Sequence, residues 1–189
     1  MRARAEAAEQ TRHRILRATL DLATETLTLA PVLTAVAERA GVSVQTVLRH
    51  FGSSSGLLDA VEVFARAQVA EERAAPAGDV TAAIAVLIEH YERRGEWALV
   101  MLGQERKDAR ARRATQDGRR LHREWVQAVF GPQLAARQDA ARLPLTDLLV
   151  VATDVYAWKL LRHDRQLSRE QVESRLTALV TAVLRMEEF

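Results

Sequence analysis

Within the run VSVQTVLRHF, the side chains Gln45, Thr46, Arg49 and His50 recur on one side of a short helical stretch. These residue types suit the edges of nucleic-acid bases. Arginine pairs bidentately with guanine, glutamine with adenine, and a threonine methyl meets the thymine methyl. A second group sits in the later half of the chain. Trp97, Met101, Trp125, Tyr156 and Trp158 supply large apolar surfaces there, with His90, Tyr91, Glu105, His122, Thr153 and Asp154 interleaved. Aromatic walls with a few polar groups are the usual lining of a small-molecule site, and each such aromatic is also compatible with plain core packing. Catalytic chemistry finds little support. The five histidines at 13, 50, 90, 122 and 163 are scattered, with no H-x3-H pair and no glycine-rich phosphate loop. The expectation is a protein that is not an enzyme and carries no cofactor or metal.

Base-reading side chains need a rigid mount, and LTAVAERAGVSVQTVLRHF provides the parts of a helix-turn-helix. Val36, Ala37 and Ala40 share one face of the first short helix, with Ala37 small where two helices cross. Gly41 stands where the turn needs a positive φ, which glycine adopts without steric cost. Val42 plugs the turn, and Ser43 is placed to accept from the free N–H groups of the next helix. Val47, Leu48 and Phe51 are expected to form its buried face. In this motif the second helix enters the major groove while the first crosses the backbone. An ordinary helical hairpin shares the A-x3-G spacing and is the plainer alternative.

Good helix formers run through the rest of the chain, and no segment alternates with a period of two. The spacing predicts helices over about 9–26, 31–40, 44–50, 54–74, 79–94, 96–106, 111–129, 144–163 and 168–187, an all-α fold of about nine helices. Gly95 is read as a helix end, Pro144 as a helix start, and Ser168 with Gln171 as a capping box. Asp154 falls inside an apolar stretch, where an unpaired carboxylate is costly, so it requires a partner or a wet cavity.

Apolar residues make up 48% of the chain, enough to bury a real core. Without cysteine, disulfides and thiolate metal sites are excluded. No apolar run reaches the roughly 18 residues of a membrane span. The start, MRARAEAAEQTRHR, lacks the apolar stretch of a secretory signal, so a cytoplasmic protein is expected. Lys+Arg of 27 against Asp+Glu of 25 is near balance, so net charge does not argue for nucleic acid. Arg2, Arg4, Arg12, Arg14 and Arg17 nevertheless concentrate in the first segment, either as a phosphate-binding arm or as a solvated terminus.

The runs TRHRILRATLDLATE and LTAVAERAGVSVQTVLRHFGSSSGLLDAV resemble, over about 12–61, the N-terminal domain of the TetR (AcrR-type) family of regulators. GEWALVMLGQERKD, GRRLHREWVQAVF and LLVVATDVYAWKLLRHDRQLSREQVE resemble the helical bodies of the same family. The resemblance implies a DNA-binding helix-turn-helix domain at 1–52 and a ligand-binding and dimerisation domain at 53–189, with the helix over 53–75 connecting them. It implies that Thr34 meets phosphate and that Val44, Gln45, Thr46, Arg49 and His50 face DNA, with Ser43 and Ser54 at the neighbouring helix starts. Two positions depart from the family pattern: Leu48 replaces a tyrosine and Ser54 a lysine. Each loss removes a phosphate anchor of about 1–2 kcal/mol, and loss of the lysine flattens the salt dependence.

The resemblance further implies an effector pocket among the middle helices and a homodimer through the last two. Val172, Leu176, Leu179, Val180 and Val183 form an apolar stripe on the final helix that a two-fold bundle would bury. The function implied is a repressor released from a palindromic operator by a small molecule. The alternative is a dimeric small-molecule or protein-binding module with weakened DNA binding.

Overall fold

The computed structural model describes residues 2–186, all of whose regular elements are helical. The expected helix end at 187 and the side chain of Arg2 lie outside the described part. The chain divides into two compact units, with the division between Val69 and Ala70, inside one helix.

The first unit contains α1 (Arg2–Glu25), α2 (Leu33–Ala40), α3 (Val44–Phe51) and most of α4 (Ser54–Glu72). Ile15, Leu16 and Leu20 of α1 pack with Val36 and Ala37 of α2, Val47 of α3, and Leu57 and Val61 of α4. The basic first segment is helical from Arg2 onward, earlier than the spacing suggested. Arg12 lies over the Phe51 ring at 5.3 Å, while Arg4, Arg14 and Arg17 are exposed.

In the second unit α5 (Val80–Gln104) is flanked by α6 (Ala109–Val129), α9 (Val155–Lys159) and α10 (Arg169–Arg185). The short α7 (Gly131–Ala135) and α8 (Asp139–Ala152) complete it, and α8 packs on α6 and α10. Ile84, Leu87, Ile88, Val126, Phe130, Leu145, Leu149 and Leu176 form its core. Asp79 and Asp108 cap α5 and α6, accepting from the N–H groups of Ala82 and Ala111. Ser168 and Gln171 form the capping box expected from their spacing.

Three local expectations are corrected. Gly95 does not end a helix; α5 continues through it to Gln104. Pro144 lies within α8, which starts five residues earlier at Asp139. The segment read as one helix over 144–163 is broken after Ala152, because the Asp154 carboxylate accepts from the Tyr156 N–H at 2.9 Å and starts α9 afresh. After α9 the chain winds through a wider π-helical turn, Leu160–Asp164.

Gly95 serves packing. A Cβ there would stand 2.5 Å from Cζ3 and 2.7 Å from Cη2 of the buried Trp158 indole. Alanine improves helix propensity by about 1 kcal/mol, whereas overpacking costs about 1–3 kcal/mol. Gly95→Ala is therefore expected to lower the urea midpoint; a midpoint at or above wild type would show that Trp158 has room to move.

Candidate nucleic-acid interface and buried polar cluster

The turn between α2 and α3 follows from its residues. Gly41 adopts φ +66°, and the Val42 N–H returns to the Ala37 carbonyl at 2.9 Å. Ser43 Oγ accepts from the Thr46 N–H at 3.1 Å and lies 3.0 Å from the Thr46 hydroxyl. Val47 is fully buried and Val42 is half-buried against the same core. Gln45 and Arg49 are exposed, and His50 is half-buried beside Phe51. Thr34 is exposed in the first turn of α2. Val44 is half-buried and packs against the core.

Leu48, expected on the buried face, is 36% exposed. Successive residues turn about 100° around a helix. Val44, Val47 and Phe51 set the inward direction, which leaves Leu48 at the edge of the Gln45 and Arg49 surface. Ser54 is exposed at the start of α4, one residue after Ser53, whose Oγ accepts from the Gly56 N–H. Gly52-Ser53-Ser54-Ser55-Gly56 spells the G-x-S-x-G of a hydrolase nucleophile elbow. An elbow requires a strand before the serine; here helix α3 precedes it.

In the second unit, His90, His122 and Trp125 gather around two residues that the sequence reading passed over. Glu72 accepts from His90 Nδ1 at 2.8 Å and from Arg94 Nη2 at 2.6 Å and Nε at 2.9 Å. Those donors hold its carboxylate down at about 2 despite the opposing effect of burial. Arg73 is 5% exposed. Its guanidinium donates to His122 Nδ1 at 2.7 Å and lies 4.4 Å from the Trp125 ring. His122 Nε2 is 3.3 Å from the Val150 carbonyl and 3.1 Å from Thr153 Oγ1. A carbonyl only accepts, so Nε2 carries the proton and Nδ1 is the acceptor facing Arg73. Burial and the neighbouring guanidinium hold this imidazole neutral, pushed down to about 3. Burial also pushes His90 down, against the pull of Glu72. Tyr91 donates to the Thr153 carbonyl at 2.9 Å, and burial raises its phenol.

The other pocket candidates lie elsewhere. Trp158 is in the core and donates to Glu92 at 3.0 Å. Glu105 follows α5 and accepts from Thr115 and Arg119 rather than from His122. Tyr156 is exposed, Trp97 half-buried and Met101 buried. One signal in the sequence points to Glu72: it continues the Leu57, Val61, Ala65, Val69 series along α4, where a polar residue on an otherwise apolar stripe asks for a buried partner.

The cluster sets a pH dependence. When unfolded, His122 titrates near 6.5; when folded, near 3. The unfolded chain therefore binds the proton first, so stability is fully present above about pH 6.5 and falls as pH drops toward 3. Glu72, held near 2 against 4.5, adds a loss only below about 4.5. Between these limits the imidazoles act alone, each contributing at most about 1.4 kcal/mol per pH unit. His122→Asn is expected to flatten unfolding free energy against pH from 6.5 to 4.5. Parallel curves for variant and wild type would remove His122 from this role.

No family model and no curated relative matches the sequence. A solved structure from Rhodococcus sp., described as a candidate TetR-family transcriptional regulator, superposes with a TM-score of 0.66 over 93% of this chain and 99% of that one, at 19% identity. Among the described residues no helix is long and apolar enough to cross a membrane. The chain has a TetR-like fold.

Proposed function

We propose that the protein is a DNA-binding transcriptional regulator, a repressor that reads a palindromic operator as a homodimer and is released by a small molecule. It is not an enzyme in this reading. The supporting observation is the α2–α3 unit, in which a left-handed Gly41 and a capping Ser43 hold α3 with Gln45, Leu48 and Arg49 exposed together. That is the form of a recognition helix. Thr34, Ser43, Thr46, His50 and Ser54 are assigned to its border, and Val44 to the position where α3 enters the groove. The DNA-reading part is assigned to 1–52, with effector binding and dimerisation in 53–189.

Several exposed apolar groups support the dimer. Val172, Leu176 and Val180, part of the stripe first read as intermolecular, fill the chain's own core. On the outside, α10 presents Ala178, Leu179 and Ala182, and α8 presents Leu148 and Val151. These recur at spacings of three and four and form the proposed interface. An effector releases DNA only by binding more tightly to the state that fits the operator less well.

The protein is expected to protect a palindrome from its own promoter region in a footprint, with affinity falling as salt rises. Protection no better than on random duplex at low salt would favour the alternative, a dimeric binding module without operator recognition. Arg49→Ala is expected to cost about 1–3 kcal/mol at the operator. Leu179→Asp combined with Val151→Asp is expected to give a monomer in light scattering with weakened operator binding; a dimer of unchanged mass would place the interface elsewhere.

A further inference from the structure

Arg73 is a buried cation with no carboxylate in contact. Its neighbour Glu72 is taken by Arg94 and His90. Asp154, on the segment between α8 and α9, accepts from the N–H of Tyr156 and acts on Arg73 only from beyond ion-pair distance. Among the described residues no carboxylate lies within ion-pair distance of the Arg73 guanidinium, and its Nε has no hydrogen-bond partner. The groups that do touch it are neutral: an imidazole acceptor on His122 and the face of Trp125. Such a cation is held at a net cost unless something completes the pair.

We propose that Arg73 is the anchor for a small organic carboxylate, bound in the second unit with its acid group on the guanidinium. The planar fork of arginine matches a carboxylate through two parallel N–H groups, and the unpartnered Nε supplies one of them. A phosphate has similar geometry but carries nearly two charges. One buried cation would leave such a dianion uncompensated, so a monoanion is the better match. His122 fixes the fork by accepting from one Nη while its own Nε2 proton is held by Val150 and Thr153. Trp125 lies against the guanidinium face, and its indole N–H donates to the Arg73 carbonyl at 2.8 Å, tying ring and backbone together. Arg73, His90, His122, Trp125 and Thr153 thereby converge from α5, α6, the end of α4 and the end of α8. The regulatory meaning of this site rests on the effector-binding reading above; the binding itself does not.

Thermal melts of the full chain in a carboxylate-free buffer test both parts. Benzoate, phenylacetate and octanoate are compared with their neutral amides, with phenyl phosphate, and with sodium chloride at equal ionic strength. At least one carboxylate is expected to raise the wild-type Tm by about 2 °C or more, while its amide, phenyl phosphate and the salt control do not. Arg73→Met is expected to melt at or above wild type without ligand and to lose the response, and Arg73→Lys to keep part of it. The proposal is overturned if no carboxylate shifts wild type, if the amides shift it equally, if Arg73→Met retains the response, or if Arg73→Met melts well below wild type or fails to fold, which would make the guanidinium a structural cation. A larger shift with phenyl phosphate than with the carboxylates would also overturn it, in favour of a phosphate site. Operator binding is scored separately. Operator protection without a carboxylate shift defeats this inference alone, whereas a carboxylate shift lost in Arg73→Met without operator protection defeats the regulator reading alone.

Discussion

Two opposite charges adjacent in sequence, the half-buried Glu72 and the buried Arg73, do not neutralise each other. Neighbours on a helix point about 100° apart, so each charge must find its partner on a different element. Glu72 finds Arg94 and His90 on α5. Arg73 meets His122 and Trp125 on α6. The surrounding arrangement answers this constraint. The His122 imidazole stacks on Trp125 with ring centroids 5.8 Å apart, and its far nitrogen is fixed by the end of α8. Thr153, which meets that nitrogen, also offers its carbonyl to Tyr91. Polar groups of the second unit are thus linked through one buried cluster. In low dielectric its members strengthen one another, and an unpaired member is costly.

The all-α architecture was legible because it depends on what a sequence displays directly: helix formers, caps and turn residues. Gly41, Ser43, Asp79 and Ser168 each act where their local chemistry says they should. The misreadings share a different cause. Gly95 looked like a stop and is a contact surface, because whether a glycine breaks a helix or admits an indole depends on Trp158, 63 positions away. Leu48 looked like core because leucine usually is, yet the inward direction of α3 was already set by Val44, Val47 and Phe51. Val172, Leu176 and Val180 were correctly seen as one apolar face, but periodicity does not say whether the facing surface belongs to the same chain.

The candidate site was half visible. His90, His122 and Trp125 stood out as polar or aromatic residues in apolar surroundings. Glu72 and Arg73 did not, since EER near a helix end reads as a solvated charge run. Partners 18 and 49 residues away draw them inside. The information was distributed over four elements, and only the fold assembles it.

The two units treat their exceptional residues in opposite ways. The α2–α3 unit rests on the left-handed Gly41, the cap at Ser43 and the inward-facing Val36, Val44, Val47 and Phe51. Its outward positions Gln45, Leu48 and Arg49 are exposed and free of folding constraints. An exposed leucine in that free set neither donates nor accepts a hydrogen bond, so it adds nothing to phosphate attraction. Under the regulator reading, its contribution is methyl contact with bases, which shifts recognition away from the salt-sensitive backbone and toward sequence. Arg73 is the reverse case. It lies where folding alone would favour an apolar side chain of similar volume, and His122 and Trp125 hold the guanidinium in one orientation. A residue that burdens the fold while being this well positioned is most simply explained by a partner that arrives after folding.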